Sequence, residues 1–374
     1  MSFSMDLKKT MIGFCLLIGI IPFLAIGIYS YQTASGELSD TVFDQLQAIR
    51  DVKGHGIRDR IEIWFADTDM LASDEYVPEA LEAFSGYAAT SMGTRSDAIL
   101  VDTPAYNSMH SAYLEHFARY VDILGYYDVF IIDPQGRVLF TAARESDLGQ
   151  NLATGRLKDS PLATAWRQAR NSDNVFVDFV PYAPSNGIPA AFMAEPIRRN
   201  GKLLCVVALQ ISLERLNDFM QQRSGMGETG ETYLVGQDLL MRSDSYLNPK
   251  DHSVAASFAN PERGKVDTVA ARQALEGETG SDIITDYNGN PVFSAYMPIH
   301  VGDTTWALIA EIDKHEALEA VSLLRNGMFT AGFAVFIAII LTTIFFIKRE
   351  LLRPFAALRS FANKVARGDL DAKP

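Results

Sequence analysis

Two unbroken apolar runs stand near opposite ends of an otherwise mixed hydrophobic and polar pattern. The first is uncharged from Thr10 to Gly36, with its apolar body between Met11 and Tyr31; the second runs from Asn326 to Ile347, flanked by Arg325 and Lys348. About 20 apolar residues in a helix cross a hydrocarbon core of roughly 30 Å. Both runs therefore predict membrane-spanning helices, at 10–31 and 326–347. Lys8 and Lys9 precede the first, and Lys348, Arg349 and Arg353 follow the second. Basic flanks stay in the cytoplasm, so residues 1–9 and 348–374 are expected inside and 32–325 outside. A cleaved signal peptide is the alternative for the first run. Its length, the internal Pro22 and the lack of a small-x-small cleavage site favour an uncleaved anchor. Two buried core helices are the other alternative, but uncharged runs this long are rare in soluble cores.

The outer block opens with apolar residues at mostly helical spacings: Val42, Leu46, Ile49, Ile57, Ile61, Trp64 and Leu71. They predict a stalk helix over 35–73, locally weakened by Gly54 and Gly56. About 40 residues of helix span about 60 Å, and such a helix must pack along the domain, against a second copy, or both. A polar-rich helical region is expected from 74 to 121.

Strand patterns follow. The apolar run 127–132, the turn Asp133-Pro134-Gln135-Gly136 and the return 137–141 predict a hairpin. A loop and short helix end near Trp166-Arg167-Gln168-Ala169, before strands at 175–180, 189–197 and 202–212. Asn200-Gly201 between the last two is a hairpin signal. The order then recurs: a hairpin of 233–235 with 239–242, a helix at Ala271-Arg272-Gln273-Ala274, and strands at 283–286, 291–299 and 306–312. Pro291 and Ile299 match Pro189 and Ile197 in place. Two similar α+β modules in tandem are expected, at a period too long for a solenoid.

Composition narrows the function. The chain is 48% hydrophobic with a net charge of −13, and an acidic chain without a basic stripe argues against a nucleic-acid partner. Cys15 and Cys205 fall in different compartments of the predicted topology, so no disulfide framework exists. Cys205, in the run Leu203-Leu204-Cys205-Val206-Val207, reads as a small core residue.

Between its two apolar runs the chain resembles the double Cache family, the extracytoplasmic sensor domains of bacterial receptors. The features that carry the resemblance are the stalk, the hairpin Ile132-Asp133-Pro134-Gln135-Gly136-Arg137 and the linker from Gly227 to Val235. It covers about 35–318. Membership implies two PAS-like modules on the stalk: a membrane-distal one, about 74–218, that usually binds the ligand, and a membrane-proximal one, about 225–318. The end of the chain is similar to the start of a HAMP adaptor. Arg353-Pro354-Phe355 and Val365-Ala366-Arg367-Gly368-Asp369-Leu370 frame a heptad-like seam of Phe355, Leu358, Ala362 and Val365. The adaptor's second helix is missing at Pro374, which reads as a fragment of a longer receptor; an unpaired amphipathic helix on the membrane surface is the alternative.

Motifs for catalysis fail on context. Gly225-Met226-Gly227-Glu228-Thr229-Gly230 matches a dinucleotide fingerprint, but a helical stretch precedes it and a strand follows, the reverse of what pyrophosphate binding needs. The histidines His55, His110, His116, His252, His300 and His315 form no metal-ligand spacing and are expected mostly at the surface. No nucleophile elbow is present. Asp67 and Asp69 read as a solvated helix face. No enzyme, cofactor or metal site is expected.

By the resemblance, a small-ligand pocket lies on the distal sheet under 144–170, with Tyr127, Asp128, Lys158, Trp166, Asp178, Tyr182 and Gln210 as candidate lining residues. For each of these alone, a core or surface role is the competing reading. The family's amino-acid sensors grip the carboxylate with Arg-x-Trp-Tyr and the amine with a late aspartate. Here Ser160-Pro161-Leu162-Ala163 and Gln210 stand at those places, so that clamp is absent. Gln210 suits a neutral or anionic ligand, and Lys158 offers an anion contact. The whole pattern points to the sensory part of a dimeric methyl-accepting chemotaxis receptor in the inner (plasma) membrane, passing its signal to cytoplasmic proteins. The alternatives are a histidine kinase or nucleotide or diguanylate cyclase sensor, and a membrane-anchored binding protein without output.

Overall fold

A computed structural model describes residues 2–91 and 98–367. Val42–Glu316 form one compact unit; the apolar ends, up to Thr41 and from Ala317, form the other.

Helix α1 runs unbroken over Ser2–Ala72, through Pro22. It is followed by α2 (Tyr76–Ser91) and α3 (Pro104–Asp122). The single polar-rich helical region expected from the sequence is thus two helices; residues between them at 92–97 lie outside the description. Thr103 caps α3 by accepting from the Tyr106 amide, with Pro104 at its first turn. Leu46, Ile57, Ile61 and Leu71 on α1 are all buried, so the folded block covers most of the stalk's apolar stripe within one chain. Lys53 Nζ donates to the Phe219 and Met220 carbonyls, which also fastens the helix.

Strands β1 (Asp128–Ile132) and β2 (Val138–Thr141) form the expected hairpin. Its turn is fixed by Asp133, whose carboxylate accepts from the Gln135 and Arg137 amides, and by Gly136 at φ 86°. Helix α4 (Pro161–Ala169) leads to β3 (Val175–Pro181), β4 (Pro189–Arg199) and β5 (Lys202–Gln210). Asn200 and Gly201 both take positive φ, 53° and 77°, as a two-residue hairpin turn requires. These strands build a five-stranded antiparallel sheet in the order β2-β1-β5-β4-β3.

Helix α5 (Leu213–Met220) precedes β6 (Glu231–Val235). Short helices α6 (Pro249–His252), α7 (Val254–Ala259), α8 (Pro261–Gly264) and α9 (Val269–Leu275) lead into β7 (Gly280–Thr285), β8 (Pro291–Val301) and β9 (Thr304–Asp313). The second sheet has the order β6-β9-β8-β7, the same path as β1-β5-β4-β3. The expected strand at 239–242 is reduced to one bridge, Val235 to Met241. Leu239 takes φ 65°, and the Leu240 carbonyl is engaged by Gly236 and Arg242, so no ladder extends from it.

Each sheet is packed on a core of its own, with Phe130, Tyr182 and Phe192 in the first and Tyr233, Tyr296 and Ile309 in the second. A third cluster joins α1, α2 and α3 to the backs of both sheets. Cys205 is fully buried there, and burial pushes its thiol up to about 12, as a core residue would be. The expectation of mostly surface histidines fails at two positions. His110 stacks on Phe140 at 4.7 Å and His252 packs on Tyr287 at 4.2 Å, both buried and both with pKa lowered by desolvation.

Helix α10 (Lys314–Ala317), helix α11 (Glu319–Phe346), a π-helical stretch (Ile347–Leu352) and helix α12 (Arg353–Ala366) are the last elements among the described residues. Leu17–Ala72 and Glu319–Arg349 contain windows long and apolar enough to cross a membrane. Phe14, Ile26, Phe329, Phe333 and Phe345 are more than half exposed. The heptad-like positions 355, 358, 362 and 365 all fall on α12, while Gly368-Asp369-Leu370 lies outside the described residues.

Candidate functional site

Register brings Asp128 on β1 opposite Gln210 at the end of β5, and Gln210 opposite Phe192 on β4. Side chains directly opposite in adjacent strands share a face, so these three form one row across the sheet. Asp128 is fully buried. Its carboxylate accepts from the Thr141 hydroxyl at 2.6 Å and from the amides of Val129, Ala142 and Ala143. Burial outweighs those bonds and raises it to about 7. Asp128 therefore fastens the chain that leaves β2.

That departing loop carries Glu145 and Asp147 into the same neighbourhood. Tyr182, just after β3, donates to Asp147 Oδ2 at 2.7 Å. Tyr127 donates to Glu145 Oε1 at 2.7 Å, and the Ser185 hydroxyl to Glu145 Oε2 at 2.9 Å. Gln210 Nε2 donates to Ser185 Oγ at 3.2 Å. Asp147 Oδ1 and Gln210 Oε1 are buried without a hydrogen-bond partner. Desolvation raises Asp147 to about 6, partly offset by Tyr182 and nearby backbone amides. Tyr127, 42% exposed, stands at the solvent edge of this group.

Four of the seven residues expected from sequence thus meet here: Tyr127, Asp128, Tyr182 and Gln210. The other three do not join the network. Lys158 is exposed, and no hydrogen bond among the described residues links its ammonium to the cluster. Trp166 is buried in the neighbouring core with its indole N–H on the Asp133 carbonyl at 3.1 Å. Asp178 accepts a two-pronged bond from Arg242, at 2.9 and 3.0 Å, and a third from the Trp306 indole at 3.1 Å. It ties the first sheet to the second. Glu145, Asp147 and Ser185 escaped the sequence reading. The only signal was that they lie in loops flanking the expected pocket, and no periodicity marks loop residues that fold back.

The second sheet repeats the construction. Glu231, Glu311 and Ser294 form the matching row across β6, β9 and β8. Glu231 accepts from the Ser245 hydroxyl, the Tyr246 and Leu247 amides and the Tyr287 hydroxyl. This is the same fastening that Asp128 makes. Glu311 receives only the Tyr233 hydroxyl, at 2.9 Å, leaving its Oε2 and the Ser294 hydroxyl buried without partners. Desolvation first, then the Glu231 charge, pushes Glu311 well above the usual carboxylate range.

Two sheets of one topology, each with a buried polar row under a loop-and-helix cover, are the frame on which residues 34–321 match the Cache domain family. This chain belongs to the Cache domain family. A probable chemoreceptor of Sinorhizobium fredii is 24% identical over 257 residues, covering 66% of this chain and 30% of that protein, so the chain spans less than a third of that receptor. The periplasmic sensory domain of the Campylobacter jejuni chemoreceptor Tlp1 is similar at 14% identity and TM-score 0.48, over 75% of this chain and 98% of that one. The sensor domain of the V. cholerae histidine kinase DctB matches at 12% identity and TM-score 0.48, over 72% and 97%. In this Cache domain the polar cluster of the first sheet is the candidate ligand site: it has the greater number of linked side chains and a solvent edge at Tyr127. The groove lined by Met70, Asp74, His116 and Tyr120, about 530 Å³, lies between α1 and α3 and shares no residue with it.

Proposed function

We propose that this chain is the sensory region of a transmembrane chemoreceptor of the double Cache type, which binds a small extracytoplasmic ligand on its five-stranded sheet. The observation that carries the reading is the Cache match over 34–321, set between two helices apolar enough to cross a membrane. The five-stranded sheet is the membrane-distal module, about 74–218, and the four-stranded sheet the proximal one, about 225–318. Helices at 10–31 and 326–347 anchor the block, and 348–374 begins a HAMP adaptor. Ligand binding biases two packings of stalk and second membrane helix, and the adaptor hands that bias to cytoplasmic chemotaxis proteins. A kinase or cyclase output would use the same arrangement; the coding sequence after Pro374 discriminates between them.

The receptor acts as a parallel homodimer in this reading. Val52, Ile63 and Met70 are about half exposed or more on α1. Steps of eleven and seven residues return to nearly the same helix face, so these three support a contact face distinct from the buried Leu46 stripe.

Binding decides the proposal. The full chain in lipid nanodiscs is screened by thermal shift against a small-molecule library, and hits are titrated against Gln210→Ala and Glu311→Ala. The first change is expected to weaken binding by about 1–3 kcal/mol through a lost buried partner, and the second to leave it unchanged. The reverse pattern places the site on the four-stranded sheet.

A further inference from the structure

The two apolar helices pack against each other where glycine lets them approach. A Cβ on Gly27 would stand 2.8 Å from Met328, one on Gly19 2.5 Å from Ile339, and one on Gly332 2.6 Å from Phe23. Numbers that rise on α1 meet numbers that fall on α11, so the pair is antiparallel. Beside this seam runs a cleft of two adjoining cavities, about 380 and 280 Å³, which share Phe23, Leu24, Met328 and Phe329. Its lining is apolar except at one end, where Tyr31, Gln32 and Arg325 stand. The other end reaches Ile20 and Phe336.

Depth bears on what such a cleft takes. With spans at 10–31 and 326–347, Ile20 and Phe336 fall at their middles, and Tyr31 and Arg325 at their outer ends. Arg325 to Phe336 is eleven residues of helix, about 16 Å. That is close to half of a hydrocarbon core of roughly 30 Å. The cleft therefore has the depth of one leaflet, whereas a helix packed along it would cross both.

Charge supplies a second argument. In the ten residues beyond the outer end of each run, 32–41 and 316–325, Arg325 is the one basic residue. Basic flanks favour the cytoplasmic side, so an arginine here runs against that bias. Its side chain is exposed, and no ion pair among the described residues reaches it. The nearby Glu316 is already engaged by the Glu228 and Thr229 amides.

We propose that this cleft is a lipid site: an anionic phospholipid of the outer leaflet lays one acyl chain between α1 and α11 and sets its phosphate on the Arg325 guanidinium. The inference rests on the reading of the two runs as membrane helices. A guanidinium matches phosphate in charge and in its forked donors. Gln32 and Tyr31 add donors at the same end, and a tyrosine with its polar tip suits the membrane interface. A second copy of the chain is the competing occupant. A two-fold contact sets one surface against itself, and it would bring another Arg325 to the rim in place of an anion.

The test uses the full chain in dodecyl maltoside, titrated with dioleoyl phosphatidylglycerol, dioleoyl phosphatidylcholine or inorganic phosphate. Native mass spectrometry counts retained lipid, and thermal shift reads the stabilisation that binding brings. Phosphatidylglycerol is expected to be retained and to raise the melting temperature, phosphatidylcholine to bind more weakly, and inorganic phosphate to do neither. Arg325→Gln is expected to weaken phosphatidylglycerol retention about fivefold or more. Leu24→Trp, which fills the cleft and keeps the charge, is expected to weaken both lipids. Lys348→Gln, at the inner end of the second span, is expected to change nothing. Arg325 and Leu24 are exposed, so both variants are expected to fold, checked by their lipid-free melting temperatures. Equal losses on Arg325→Gln and Lys348→Gln would show general attraction to anionic lipid and overturn the site. Retention that ignores Leu24→Trp, or inorganic phosphate matching the lipid, would overturn the acyl-chain cleft. Absence of retained lipid, with a cysteine at Leu24 crosslinking between copies in a background lacking Cys15 and Cys205, would give the cleft to a second copy. Alkaline extraction separates the two readings: a chain released from membranes overturns the membrane helices themselves, and one that stays without retaining lipid overturns the lipid site alone.

Discussion

A carboxylate stripped of water needs donors, and Asp128, Glu231 and Glu311 receive very different numbers of them. Asp128 and Glu231 each accept several bonds, including backbone amides, whereas Glu311 has only the Tyr233 hydroxyl. Glu311 faces Glu231, Asp286, Asp313 and Tyr233, with no basic group prominent among them. Its pKa is raised above the ordinary 4.5 in the folded chain. Above pH 4.5 the folded state therefore holds a proton that the unfolded state has lost, so stability falls as pH rises through that window. Below it both states are protonated and the effect is flat. Glu311→Gln is expected to flatten the fall and raise the melting temperature at neutral pH; a variant that melts lower than wild type from pH 5 to pH 8 would show Glu311 is ionised and supported. For Asp147, raised to about 6, the same sign applies to stability. At this scale the sequence showed Asp128, Tyr182 and Gln210 because they belong to or border strands with readable register. Asp147 and Glu145 were hidden because a loop's return path follows from tertiary hydrogen bonds, not from local pattern.

Among the elements, turn chemistry carried the most information. Asp133-Pro134-Gln135-Gly136 and Asn200-Gly201 fixed two hairpins, and the register of the strands around them follows. The segment 239–242 misled because Leu239, Leu240 and Met241 form a short continuous apolar run like a buried strand, while its backbone is committed to the Arg242 junction. That junction predicts a measurable effect. Asp178→Ala leaves the buried Arg242 guanidinium with Asp238 as its remaining carboxylate and should destabilise the folded block by about 3 kcal/mol, read by denaturant unfolding. A loss under about 0.5 kcal/mol would mean the pair behaves as a surface ion pair. The stalk's apolar positions were legible, but their partner was not: helical spacing marks a stripe without saying whether its own domain or a second copy covers it. Since Leu46, Ile57 and Ile61 are covered internally, single cysteines at Val52, Ile63 and Met70, in a background lacking Cys15 and Cys205, are expected to crosslink between chains more readily than one at Leu46. Crosslinking strongest at Leu46 would place the dimer contact on the inner stripe instead.

For the whole molecule, the tandem repeat seen in the sequence has a direct counterpart in two sheets of one strand order and two matching polar rows. The rows differ in content, Asp128, Gln210 and Phe192 against Glu231, Glu311 and Ser294, so one fold carries the candidate site in one sheet and a buried acid in the other. The proposed topology rests on the basic flanks: a reporter fused at Asn248 should be active only when exported, and a cytoplasmic signal there would contradict a sensor facing outward. The central claim is that the five-stranded sheet holds the ligand. A solved structure of the chain with a compound selected by the thermal-shift screen tests it most directly. The compound is expected within hydrogen-bond distance of Asp147 Oδ1 and Gln210 Oε1. Density for it beside Glu311 and Ser294, with the Asp147 cluster unchanged, would contradict the account.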